Sequence, residues 1–302
     1  MIRIHTLVSP FLGANCYILS AHQRAEAQDI ENTAPSDAGD NTSHTTWSQA
    51  NPSHEVTAVV IDPGWDTTDR VVDYVQSIRA TRVNIVATHG HLDHIADLGL
   101  LCERISAICG EVSIGLNDQS RLDDPIEDLP EMFTTQLRPI WQVRGWTRPA
   151  DARLLREGDE IEVAAGAALR VIDAPGHTEG SVLLQLVKGG SDVAGDTSDA
   201  KEKEDASVVP AVLTTEDSSR SPGGRREWHR GVVFTGDVLF AGGVGRTDLP
   251  GGDMKAMHRS LARFAELPGD FLILPGHGPS STIRHELTNN WYLREACQGH
   301  LA

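Results

Sequence analysis

The chain has 302 residues, of which 39% are hydrophobic, and it carries 26 Lys and Arg against 43 Asp and Glu, a net charge of −17. Such a surface repels phosphate backbones and anionic lipid, so neither a nucleic-acid nor a membrane partner is expected. No apolar run reaches the ~18 residues that span a bilayer, the N-terminus lacks a signal-peptide pattern, and Cys16, Cys102, Cys109 and Cys297 show no C-x-x-C spacing. Free thiols in a cytoplasmic protein are the expectation.

Residues 2–8 and 15–20 read as two strands joined by a turn at Pro10 to Gly13. Residues 21–55 are rich in Asn, Ser, Thr, Asp and Gln and poor in aliphatics. That composition buries too little apolar surface to offset ordering entropy and reads as a flexible insertion. Residues 56–62 form an apolar strand ending in Pro63-Gly64, and 69–79 a helix with Val71, Val72, Val75 and Ile78 on one face. A second apolar strand, 83–87, runs into a histidine cluster, followed by a helix over 96–108 and a short strand over 111–116. Residues 123–150, with Trp141, Trp146 and several prolines, read as loop and short helix, the two tryptophans as core or as the rim of a site. Strands follow at 159–163, 169–172 and 181–187. Residues 189–229 fall back to Gly, Ser, Asp, Glu and Lys, a second expected flexible insertion. A strand at 232–235, a helix at 255–266, a strand at 271–274 and a helix at 283–296 close the chain. The expected architecture is one α+β domain over 1–302, an αββα sandwich of two mixed sheets flanked by helices, carrying insertions at 21–55 and 189–229.

The string Thr88-His89-Gly90-His91-Leu92-Asp93-His94 puts four candidate metal ligands at a strand end. His and carboxylate suit zinc, iron or manganese. A tight loop lets His89 and His91 reach one ion, while Asp93 and His94, on the first turn of the next helix, turn toward a second. His177, Asp237 and His277 recur just after apolar strands, each directly preceded by glycine. This fits a backbone that turns sharply beside a crowded site. The other histidines read as incidental.

The ordered set H-x-H-x-D-H, G-H-T at 176–178, G-D at 236–237 and P-G-H-G-P at 275–279 resembles the metallo-β-lactamase superfamily. Thr235 to Phe240, Gly245 to Asp253, and Thr282-Ile283 with Glu286 resemble its short glyoxalase II-like (hydroxyacylglutathione hydrolase-like) branch. The resemblance implies a metal-dependent hydrolase with two divalent ions, zinc first and iron or manganese as alternatives. It places His89, His91 and His177 on one ion, Asp93, His94 and His277 on the other, and Asp237 between them. It implies a metal-held hydroxide attacking the acyl carbonyl of a small thioester, with Asp93 orienting the nucleophile. Where the family usually has two glycines after the cluster, Ile95-Ala96 stands here, followed by Asp97, read as a helix-start carboxylate. Full glyoxalase II enzymes continue into a helical domain that grips glutathione, whereas only residues 278–302 follow here, so weak dependence on glutathione and a tolerant thiol side are expected. Arg246, Thr247 and Asp248 are candidate substrate contacts, with Arg246 pairing either a substrate carboxylate or Asp248 itself. The alternatives are a mononuclear iron persulfide dioxygenase and a hydrolase of another ester or lactone.

Overall fold

The computed structural model describes residues 2–21, 56–189, 211–215, 228–229 and 231–299. In chain order the elements are β1 (Ile2–Val8), β2 (Asn15–Ala21), β3 (Thr57–Ile61), α1 (Thr68–Ser77), β4 (Arg82–Ala87), α2 (Leu92–Ile95), α3 (Leu98–Arg104), β5 (Cys109–Gly115), a 3-10 turn (Leu116–Leu122) and α4 (Glu131–Arg144). They continue with β6 (Arg153–Leu155), β7 (Glu160–Ala164), β8 (Ala167–Asp173), β9 (Val182–Val187), β10 (Ala211–Thr215), β11 (Trp228–His229) and β12 (Val232–Gly236). Last come α5 (Met254–Phe264), β13 (Leu272–Pro275), β14 (Ser281–Thr282), α6 (Ile283–Asn289) and α7 (Trp291–Gln298).

Two mixed sheets result, ordered β11-β10-β1-β2-β3-β4-β5-β6 and β14-β13-β12-β9-β8-β7. Their facing sides share one core, in which Ile4, Leu19, Ile61 and Val86 of the first sheet meet Leu169, Leu184, Phe234 and Leu274 of the second. The outer face of the first sheet packs Ile18, Val60 and Ile85 against Val71 and Val75 of α1 and Leu98 and Leu101 of α3. The outer face of the second packs Val233 and Ile273 against Leu261 and Phe264 of α5 and Leu293 of α7. The αββα sandwich is therefore the observed fold. Strands β3, β4 and β5 pair in parallel; β3 and the C-terminal half of β4 are buried along their length and so read as apolar runs rather than alternating ones.

Several local expectations are corrected. The stretch 189–229 contains two strands: Ala211-Val212-Leu213-Thr214-Thr215, a β-branched and apolar run, pairs in parallel with β1, and Trp228–His229 pairs with it in turn. The rest of that insertion, and residues 22–55 of the first, lie outside the described residues. The segment read as loop and short helix holds α4, 14 residues long with Pro139 inside it. Its Trp141 is buried with Trp65, Leu92, Ala96 and Ile126, and ring stacking with Trp146 at 5.6 Å makes the pair core rather than rim. The helix expected over 96–108 is the shorter α3, Leu98–Arg104, with the separate one-turn α2, Leu92–Ile95, before it. Asp97 stands at the N-cap of α3 but bonds none of that helix's N–H groups. Its carboxylate instead accepts from Thr67 N, Thr68 N and Thr68 Oγ1, at 2.8–2.9 Å. It thereby caps the neighbouring helix α1, whose own N-cap side chain makes no capping bond. All four cysteines are free. Among the described residues no helix is long and apolar enough to cross a membrane.

Candidate metal centre

The seven predicted ligands meet at one end of the sandwich, on the segments that follow β4, β8, β12 and β13. Strand β4 delivers Thr88 to His94, and Val182 N donates to Thr88 O at 2.9 Å, tying this loop to the second sheet. Because β12 and β13 run parallel, their C-terminal ends carry Asp237 and His277 to the same edge. The glycines before these ligands are required by space. A Cβ on Gly276 would lie 2.2 Å from Asp237 Oδ1 and 2.7 Å from His94 Cε1. Gly236 has φ +47°, and a Cβ there would lie 2.5 Å from Thr88 Oγ1.

Three sets of donors each gather within 4.8 Å: His89, His91 and His177; His89, His94 and Asp237; and Asp93, His94 and His277. Asp237 lies between the outer two sets, with Oδ1 3.3 Å from His94 Nε2 and Oδ2 3.6 Å from His177 Nε2 and 3.7 Å from His277 Nε2. His277 Nε2 is also 3.1 Å from Asp93 Oδ2 and 3.3 Å from His94 Nε2.

Protein partners set the direction in which these imidazoles point their lone pairs. His177 Nδ1 donates to Arg246 O at 2.7 Å, which leaves Nε2 as an acceptor facing inward. His94 Nδ1 donates to Asp62 Oδ2 at 2.9 Å, with the same consequence for its Nε2. Thr88 Oγ1 donates to Asp62 Oδ2 at 2.7 Å and so is left to accept from His89 Nδ1 at 3.1 Å, freeing His89 Nε2. The loop bearing His277 is clamped by Asn15 Nδ2, which donates to Pro275 O and Gly278 O at 2.9 Å each, and by Tyr17 OH, which donates to Pro275 O at 2.7 Å.

The result is a site whose residues can hold a divalent metal ion. His89 Nε2, His91 Nε2 and Asp237 Oδ1 are sealed from solvent without a hydrogen-bond partner, a costly state for buried polar atoms. His91 Nδ1 and His177 Nε2 stand 2.7 Å apart, close enough to share one proton or to face one ion. Burial, reinforced by neighbouring imidazoles, lowers the pKa of His89 and brings that of His91 down to about 3. Burial likewise lowers that of His177. These three are neutral, the form that ligates metal. Burial alone would raise the pKa of Asp93 and Asp237, but His94 and the neighbouring histidines outweigh it and hold both ionised. His94 and His277 are shifted upward despite burial, His94 chiefly by Asp237 and His277 chiefly by its bond to Asp93. Nitrogen and carboxylate donors in this arrangement fit borderline divalent metals such as zinc, iron or manganese.

The other predicted contacts lie differently. Arg246 binds Asp248 through Nε at 2.7 Å and Nη2 at 2.8 Å, both side chains mostly exposed. The part of Arg246 that serves the centre is its carbonyl, which fixes His177. Thr247 is half-buried in the same loop. Asp62, Asn15 and Tyr17 orient the centre yet carry no ligand motif. The sequence signal for Asp62 is its place before Pro63-Gly64 at the end of an apolar strand, beside β4.

The model of the metallo-beta-lactamase superfamily matches residues 54–223 and 229–277, and the chain belongs to that superfamily. An uncharacterized protein of Mycobacterium tuberculosis, Rv2581c, is 28% identical over 239 residues, 78% of this chain and 87% of its own. Hydroxyacylglutathione hydrolase GloC of Haemophilus influenzae is 27% identical over 245 residues, 79% of this chain and 88% of its own. Among solved structures, BLEG-1 B3 metallo-beta-lactamase superposes with a TM-score of 0.58 at 22% identity, covering 96% of this chain and 99% of that one. TTHA1623 in a di-iron-bound form superposes with a TM-score of 0.50 at 26% identity, covering 78% and 89%.

Proposed function

We propose that this metal-dependent hydrolase is dinuclear and cleaves small acyl thioesters. The observation that carries the reading is the convergence of seven donor side chains, three of which, His89, His94 and His177, have their outer ring nitrogens fixed by protein acceptors. In this reading His89, His91 and His177 hold one ion, Asp93, His94 and His277 the other, and Asp237 lies between both. When bound, two such ions supply a Lewis-acidic pair that lowers the pKa of a water and polarises a carbonyl. Zinc is the first candidate, with iron or manganese as alternatives; a relative at 26% identity is known in a di-iron-bound form.

The chain's own residues favour a good leaving group. Asp93 and Asp237 are held ionised, so they can accept a hydrogen bond from an attacking water and orient it, but they have no proton to give. A thiolate, with a pKa near 8.5, leaves without a general acid, whereas an amine or alkoxide needs one. The similarity to a hydroxyacylglutathione hydrolase supports an α-hydroxyacyl group. Arg246 and Asp248 form an exposed pair, which is cheap to break, so Arg246 can exchange Asp248 for a substrate carboxylate.

The test is a substrate panel on metal-quantified protein: glutathione, coenzyme A and other small-thiol conjugates of hydroxy acids, beside a lactone and a β-lactam. Thioester hydrolysis well above the others is expected. Turnover confined to the lactone or β-lactam overturns the substrate assignment, and oxygen uptake with a persulfide on protein holding one iron overturns the reaction class.

A further inference from the structure

The geometry points to Asp118 as the positioning residue for the His89, His91 and His177 triad, an inference that rests on the dinuclear reading above. Asp118 lies in the 3-10 turn after β5 and is fully buried. Its Oδ2 accepts from Gly90 N at 2.7 Å and Thr178 Oγ1 at 2.8 Å. Its Oδ1 accepts from Gly180 N at 2.9 Å and lies 3.4 Å from Arg121 Nε. Gly90 is the residue between His89 and His91, and Thr178 is the residue after His177. One carboxylate thus joins the two segments that carry all three histidines.

The join is tight. A Cβ on Gly180 would lie 2.4 Å from Asp118 N, and one on Gly90 would lie 2.5 Å from Arg121 Cδ. Arg121 extends the clamp outward, bonding Asp128, Glu179 Oε2 at 3.0 Å and Pro250 O at 3.0 Å. The donors around Asp118 fill its acceptor sites, which makes the buried charge well compensated and its geometry rigid.

The second triad is held by other means. None of Asp93, His94 and His277 adjoins a partner of Asp118; His94 is oriented by Asp62 and the His277 loop by Asn15 and Tyr17. Asp118 therefore acts selectively. Asp118→Asn keeps the shape but turns an NH2 toward a donor, so one of the two loops loses its anchor. Outer hydrogen bonds to metal ligands are typically worth ~10–100-fold in affinity. The expected result is weakening of one ion by that factor with the other unchanged.

The experiment titrates metal-free full-length protein with Zn2+ against a chromophoric chelator, for the wild type, Asp118→Asn and Thr178→Val. Anomalous scattering from zinc-loaded crystals then shows which triad keeps its ion. Thr178→Val removes the Oγ1 bonds to Asp118 and Ser181 but leaves Gly90 N and Gly180 N on the carboxylate; it is the milder variant, expected to shift the same site in the same direction, should Asp118→Asn fail to fold. Selective loss at His89, His91 and His177 supports the inference. Equal weakening of both sites, or no change in either variant, overturns it while leaving the dinuclear reading intact. A wild type that binds fewer than two equivalents overturns that reading itself.

Discussion

His94 and Asp62 form a sealed pair, His94 Nδ1 to Asp62 Oδ2 at 2.9 Å, with side-chain exposures of 0% and 2%. The same carboxylate accepts from Thr88 N at 2.7 Å and from Thr88 Oγ1 at 2.7 Å. Through Thr88 it also reaches His89, so one residue orients an imidazole in each triad.

Asp62→Asn isolates that role. Asp62 has φ +52°, a conformation that Asn tolerates, so the backbone is preserved while an amide NH2 is set against a donor. A buried unsatisfied group costs about 1–3 kcal/mol. Metal affinity is expected to fall by ~10–100-fold, measured by chelator competition, and unchanged affinity would show that His94 orients itself.

Space around the ligands gives a second expectation. Gly276→Ala forces a methyl group onto Asp237 Oδ1 and His94, and is expected to abolish metal uptake and turnover. Gly278, two residues on, has open space at its Cβ position but φ +76°. Gly278→Ala is therefore expected to cost about 1–2 kcal/mol of stability from the left-handed backbone alone, with metal content retained. Elemental analysis and thermal melts of the two variants separate these outcomes.

How far the sequence reveals this centre depends on the distance over which each residue acts. The ligands announce themselves because His and Asp follow apolar strands and glycines, a local pattern. Asp62 and Asp118 act through contacts 26 to 62 residues away in the chain, set by parallel strand pairing and loop packing; the place of Asp62 before Pro63-Gly64 is its one local sign, and Asp118 has none. Strands β3, β9 and β12 were legible because each is a largely apolar run buried along its length. Strand β10 was hidden by the polar residues around it, and α4 by Pro139, which argues against a helix by propensity alone while Trp141 anchors it to the core.

Asp237 and Arg246 are expected to separate binding of metal from binding of substrate. Asp237→Ala removes the carboxylate between the triads, and turnover should fall to near background with metal lost. Arg246→Ala removes only an exposed pair and leaves the carbonyl that holds His177. It should raise KM with metal content unchanged. Parallel loss of metal in both variants would show that the Arg246 side chain, not its carbonyl alone, supports the centre.

Metal and fold are expected to be linked. Stripped protein buries His89 Nε2, His91 Nε2 and Asp237 Oδ1 with nothing to satisfy them, and a ligand that binds only the folded state at a thousandfold over its Kd stabilises it by about 4 kcal/mol. Chelation should lower Tm by roughly 10 °C, reversed by adding zinc back. An unchanged Tm on protein shown to have lost its metal would place the centre outside the cooperative core.

The most direct test of a dinuclear hydrolase is to titrate metal-free protein with Zn2+ while following hydrolysis of an α-hydroxyacyl thioester. Turnover is expected to rise until two equivalents are bound and then to level off. A plateau at one equivalent, or two bound equivalents with no thioester hydrolysis, would contradict that expectation.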